Sequence, residues 1–189
     1  MAMEAFYREV MAINTIQDMQ KREAAAKSFF EKLNQAKLPE KFNWVAEIFE
    51  GMHVKERGDQ LGLIWTDLDT DAERQFTFKE MAANANKFLN FVRKNGVEKG
   101  DNLYMLTPIV PETWFATLAG LKGGFVSVPT ATSMTAREIQ FRFESYKPDV
   151  IVAFEGLAQL VDDALQEAQC TPKAKIVLGE KAGWVSYSA

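Results

Sequence analysis

The chain has 189 residues, 47% of them hydrophobic and 25% charged, which suffices for one well-buried core and excludes a disordered or fibrous protein. Its 22 Lys and Arg are outnumbered by 26 Asp and Glu, and no basic run is interleaved with aromatics, so no nucleic-acid partner is expected. The one cysteine, Cys170, excludes an internal disulfide; no oxidising compartment is required, and a soluble, cytoplasmic protein is the expectation.

Met3, Phe6, Val10 and Ile13 recur at helical spacing, as do Phe29, Phe30 and Leu33 after a polar, alanine-rich stretch. The apolar stripe fades around Gln17 and Gln20, which predicts two helical pieces or a bend, ended by Pro39. Glu4 and Glu9 at the start do not fit the order of a signal peptide, and the polar face is not rich in Lys and Arg as a lipid-surface helix requires. The longest apolar runs, such as Val150 to Phe154, are too short to cross a bilayer, so no stable membrane insertion is expected. Residues 1–41 are thus assigned as an N-terminal helical segment and 42–189 as an α/β region.

Asn43 to Gly51 reads as a short helix with Gly51 at a left-handed cap. Leu61 to Trp65 and Gln75 to Thr77 read as extended pieces forming a hairpin across the polar turn Asp67 to Glu73. The acidic residues of that turn alternate like part of a calcium loop but lack its central glycine and final Glu, so a solvated turn is the better reading. Thr77 and Glu80 form a capping box opening a helix to Lys94, closed by Asn95-Gly96.

Beyond Gly96 the pattern alternates. A strand at Asn102 to Thr107 precedes a helix opened by Pro111. A strand at Phe125 to Val128, stopped by Pro129, precedes a helix opened by the Thr135/Glu138 capping box and running to Tyr146. The strand Val150 to Phe154 is followed by a helix from Leu157 to Ala168 and a strand Ala174 to Leu178. This order predicts an α/β fold: a mostly parallel sheet with helices on both faces, preceded by the helical segment and the small hairpin. The stretch Gly183 to Ala189 shows no closing helix and reads as a cut.

The residues offer little self-contained chemistry. One His and one Cys, His53 and Cys170, cannot make a zinc site, and nothing pairs them as base and nucleophile. No Ser sits in a Gly-x-Ser-x-Gly turn. Gly120-Leu-Lys-Gly-Gly124 stands at the end of a helix, where the dipole repels phosphate, so a C-cap and close packing explain it better than a phosphate cradle. The loop Pro129 to Thr135, after a buried strand and before a capped helix, is the one segment placed as ligand loops are in open α/β sheets; serine and threonine capping accounts for the same residues.

The run from Lys99-Gly-Asp-Asn102 through Pro108-Ile-Val-Pro-Glu-Thr-Trp114 to Gly123-Gly-Phe-Val-Ser-Val-Pro129 resembles the N-terminal region of AMP-forming acyl-CoA synthetases, with its nearest look to the medium-chain branch. Phe76-Thr-Phe-Lys-Glu-Met81 upstream and Pro148-Asp-Val-Ile-Val-Ala153 downstream are similar in order and spacing, and the likeness covers roughly residues 40 to 187. It implies an acid-thiol ligase of fatty acid metabolism. A carboxylic (fatty) acid and ATP give an acyl-adenylate and pyrophosphate with Mg2+ assisting, and CoA then displaces AMP.

The family's Thr-Ser-Gly-rich phosphate loop ending in Pro-Lys does not occur in this chain. Neither do the later adenine and ribose motifs, the magnesium-binding acid or the catalytic lysine. The resemblance therefore implies an N-terminal part truncated before the ATP-binding loop, with no catalytic residue of its own, inactive alone, and binding none of ATP, Mg2+ or CoA tightly. Ala131, Thr132 and Ser133 match positions along the CoA channel of acetyl-CoA synthetase relatives, although the family's aromatic and paired glycines are missing there. Relatives' arginines suited to CoA phosphate are replaced by Ala158 and Val161. The alternative is a naturally short, non-catalytic binding or interaction module, with the N-terminal helices as the surface for pairing as a homodimer. A nucleotide-binding domain of an unrelated family is a third reading, opposed by the lack of a Gly-rich strand-to-helix turn.

Overall fold

The computed structural model describes residues 3–188. The chain divides into two compact units, Met1–Arg57 and Gly58–Ala189. Among the described residues no helix is long and apolar enough to cross a membrane.

The first unit opens with α1 (Met3–Asn14) and α2 (Met19–Gln35), two pieces separated where the apolar stripe fades. Asp18 supplies the break: its backbone is extended and its carboxylate accepts from the Lys21 N–H at 2.9 Å, capping α2. Helix α2 ends at Gln35, before Pro39. Phe6 of α1 and Phe29 of α2 are buried edge to face, with ring centroids 6.0 Å apart.

Asn43 opens the next helical piece. Its side chain accepts from the Ala46 N–H at 3.0 Å, and its own N–H donates to Glu47 at 3.0 Å. This piece is a π-helix, Val45–Val54, continued by α3 (Lys55–Arg57). Gly51 lies inside the π-helix and has no positive φ, so it is not the left-handed cap expected from the sequence. A Cβ there would lie 3.0 Å from the Ala46 carbonyl oxygen, five residues back. The wider helical ring brings that carbonyl close, and glycine fits beside it without displacing it.

In the second unit β1 (Leu61–Thr66) and β2 (Glu73–Thr77) pair antiparallel as the predicted hairpin, with Leu63 opposite Phe76 and Trp65 opposite Arg74. The turn is shaped by Asp67, whose Oδ1 accepts from the Asp69 N–H at 2.9 Å. Helix α4 (Phe78–Lys94) carries both halves of the Thr77/Glu80 capping box, and Gly96 just beyond it has φ 80°.

The remainder is a five-stranded sheet, all parallel, in the order β4-β3-β5-β6-β7. Its strands are β3 (Asn102–Leu106), β4 (Val126–Pro129), β5 (Val150–Phe154), β6 (Ala174–Leu178) and β7 (Val185–Ser186). The two-residue β7 falls in the stretch where the sequence pattern predicts no element. Pro129 is the last paired residue of β4, opposite Met105; an edge strand tolerates it because its missing N–H leaves no central ladder bond unmade.

Helices α5 (Pro111–Gly123), α6 (Ala136–Ser145) and α7 (Glu155–Glu167) connect these strands. α5 packs with α4 on one side of the sheet, and α6 packs with α7 on the other. Under α6 and α7 the buried Tyr104, Leu106, Ile151, Ala153 and Val177 meet Ile139, Phe143, Val161 and Leu165. Each fully buried aliphatic or aromatic side chain of this kind contributes about 1.5–3 kcal/mol. On the other side α5 approaches β3 and β4 closely: a Cβ on Gly120 would come within 2.8 Å of Ser127 Oγ. Gly124, with φ 73°, closes α5 as the C-cap expected of the Gly120–Gly124 stretch.

Candidate functional site

The strand order determines where a ligand site belongs. From β3 the chain moves through α5 to β4 on one side; from β5 it moves through α7 to β6 on the other. The connections leaving the carboxyl ends of neighbouring β3 and β5 thus diverge, opening the crevice at which open α/β sheets bind ligands.

A cleft of about 260 Å³ lies there, lined by Pro108, Val110, Glu112, Phe154, Leu178 and Tyr187 among others. Its loop is held by hydrogen bonds. The Thr107 and Thr113 hydroxyls lie 2.7 Å apart, Thr113 donates to the Pro108 carbonyl at 3.0 Å, and Trp65 of β1 donates its indole N–H to the Ile109 carbonyl at 2.7 Å. The hairpin therefore has a positioning role: it fixes the β3–α5 connection.

A second cleft, of about 310 Å³, shares Glu112, Tyr187 and Ser188 with the first and is walled by Arg74, Phe76, Asn84, Lys87 and Phe88. Arg74 is paired with Glu112 at 2.8 Å and lies 5.2 Å from the centre of the Phe76 ring, which meets Phe115 edge to face. Tyr187 stands between the clefts. Its ring stacks on Phe88 at 5.7 Å, its N–H donates to the Val177 carbonyl at 2.9 Å, and its hydroxyl lies 3.5 Å from the Glu112 carbonyl oxygen. Burial first, and then the charge of Glu112, push the phenol above its ordinary value, so it stays a neutral donor at physiological pH.

Trp184 fastens the Tyr187 segment to α7. Its indole N–H donates to both Asp162 carboxylate oxygens, at 3.1 and 3.0 Å, and Asp162 also holds Lys175 at 2.8 Å. No single residue of this group announces itself in the sequence. Glu112 and Tyr187 are 75 positions apart, and only the strand order brings them together.

Ala131, Thr132 and Ser133 stand elsewhere. They form an exposed turn after edge strand β4, one strand away from the β3/β5 crevice, and none of them lines either cleft. Thr130 before them is buried, with its N–H donating to the Met105 carbonyl at 2.9 Å. Thr135 after them shares a full capping box with Glu138. The loop is pinned at both ends and exposed in its middle. Ala158 and Val161 are fully buried in the core under α7, so arginine could not occupy either position in this packing.

Among the described residues, no three His, Cys, Asp or Glu side chains are grouped to hold a metal ion. His53 is packed against Tyr7 in the first unit, and Cys170 directs its Sγ toward the Phe143 and Ala168 carbonyls in the second. In the second unit the hydrogen-bonded β3–α5 loop and the Tyr187 segment bound the two clefts.

The AMP-binding enzyme family model matches residues 52–187. The chain belongs to this family. It is 42% identical over 125 residues to 4-hydroxybutyrate–CoA ligase 1 of Metallosphaera sedula, covering 66% of this chain and 22% of that protein. It is 28% identical over 167 residues to the mitochondrial acyl-coenzyme A synthetase ACSM4 of Homo sapiens, covering 84% and 28%. The chain thus spans between 22 and 28% of the length of these two curated relatives.

Solved structures share the fold. The anthranilate CoA ligase AuaEII in complex with anthranoyl-AMP matches with a TM-score of 0.70 and 22% identity, covering 80% of this chain and 28% of that one. Acetoacetyl-CoA synthetase from Streptomyces lividans matches with a TM-score of 0.69 and 23% identity, covering 78% and 24%.

Proposed function

We propose that residues 42–189 act as the N-terminal α/β framework of a cytoplasmic AMP-forming acid-thiol ligase, which converts a carboxylic acid, ATP and CoA to acyl-CoA, AMP and pyrophosphate through an acyl-adenylate. The observation that carries this reading is the family match over 52–187, laid on a parallel sheet with a crevice between β3 and β5. The framework sets the loop Thr107–Val110 and the Tyr187 wall in place. Ala131, Thr132 and Ser133 offer a surface along which the CoA chain passes. Mg2+ has no fitting cluster of acidic ligands among the described residues, and no step is assigned to it in this chain. Alone, the 189 residues do not catalyse adenylation, because they contain no Thr-Ser-Gly-rich loop ending in Pro-Lys.

For the acid, we favour the medium-chain branch, which the run from Lys99 to Pro129 resembles. A second reading, a short hydroxy acid, is favoured by the 42% identity to the 4-hydroxybutyrate ligase. Fusing this chain to the part of the Metallosphaera ligase that lies beyond its matched region, and measuring thioester formation with hexanoate and with 4-hydroxybutyrate, tests the framework role. Thioester from either acid is expected. A folded fusion that forms none, while the intact Metallosphaera enzyme does, contradicts the framework role.

A further inference from the structure

His53 is the chain's only histidine, and it is 5% exposed. It sits in the π-helix, a geometry that recurs where proteins keep an unusual side-chain placement for use. The Tyr7 hydroxyl of α1 lies 3.3 Å from its Nε2, and the two rings meet edge to face with centroids 5.4 Å apart. Arg8, the next residue of α1, pairs with Glu4 and with Glu56 of α3. The imidazole therefore lies on the seam joining α1 to the π-helix and α3.

We propose that His53 is an acid-sensitive latch for α1: neutral, it closes the seam against Tyr7; protonated, it loosens α1 from the π-helix. The charged groups around it set the direction. Arg8 faces it from α1, paired with Glu4 and Glu56, and Glu56 and Arg57 face it from α3. An added imidazolium loses hydration and meets the like charges of Arg57 and Arg8, with Glu56 opposing them. Burial first, then Arg57, hold the ring below its ordinary value, with Glu56 opposing and Arg8 adding.

Linkage fixes the sign. With the seam closed His53 binds protons less readily than when α1 is free, so docking is full above about pH 6.5 and weakens as pH falls below it. Glu56 is itself held below the ordinary carboxylate range by its bond to Arg8 and so stays charged through that window. The loss between pH 6.5 and 5.5 therefore belongs to the histidine.

Two measurements on the whole chain test this. The imidazole C–H protons of a single histidine give an unambiguous NMR titration, and the midpoint is expected below about 6.5. Hydrogen exchange of the α1 amides, corrected for intrinsic rates, is expected to show up to about a tenfold rise in opening between pH 7.5 and 5.5, and less than about twofold in His53→Gln. A midpoint at or above the ordinary value, an unchanged α1 opening in the wild type, or an equal rise in folded His53→Gln overturns the proposal. Should His53→Gln fail to fold, the wild-type titration and wild-type exchange still decide it.

Discussion

The Tyr187 ring lies on the Phe88 ring at 5.7 Å with an interplanar angle of 20°, joining the last described strand segment to helix α4 and dividing one cleft from the other. This contact is where the end of the sheet and the far side of the fold are tied together. Removing the ring in Tyr187→Ala should lower unfolding stability by about 2 kcal/mol, whereas Tyr187→Phe should stay within about 0.5 kcal/mol because the hydroxyl reaches its carbonyl only at the outer limit of a hydrogen bond. Urea unfolding of the three proteins checks the difference.

The two capping boxes predict an acid dependence. The Thr77 N–H and then its hydroxyl hold the Glu80 carboxyl below its ordinary value, and Thr135 does the same for Glu138. Both depressed carboxylates contribute stability that is complete above about pH 4.3 and is lost as pH falls through their lower native values. The double variant Glu80→Gln, Glu138→Gln should show a shallower fall in unfolding midpoint from pH 5 to pH 3 than the wild type. At neutral pH, Thr77→Ala or Thr135→Ala should each cost about 1 kcal/mol.

Much of the architecture was legible because it rests on local chemistry. A threonine hydroxyl and a glutamate three residues on satisfy orphan amides whatever the rest of the chain does, so α4 and α6 start where the sequence places them. Glycine is less specific: the same absence of a Cβ serves the αL cap at Gly124 and the π-helix at Gly51, and neighbouring residues do not distinguish the two. Strand β7 was invisible because two residues carry no periodicity; Val185 and Ser186 are extended only because Ile176 and Val177 offer them an edge. For the same reason the crevice could not be read. It depends on β5 lying beside β3 rather than β4, a non-local choice, whereas the 129–135 loop could be picked out from its own residues.

That loop carries a prediction about CoA. In the fusion with the Metallosphaera ligase, Ser133→Trp places a bulky ring on an exposed turn with room to accept it, so the fold should be retained. The KM for CoA should rise about tenfold, equivalent to roughly 1.4 kcal/mol. An unchanged KM would remove Ala131, Thr132 and Ser133 from the CoA path.

In the proposed function these residues frame an adenylating site without supplying its chemistry. Carboxylate-dependent exchange between ATP and labelled pyrophosphate separates frame from chemistry, run in parallel on the repurified 189-residue chain and on the fusion. Exchange by the fusion and none by the chain alone is the expected outcome. Exchange retained by the isolated chain, or its absence from a folded fusion, would overturn the framework role.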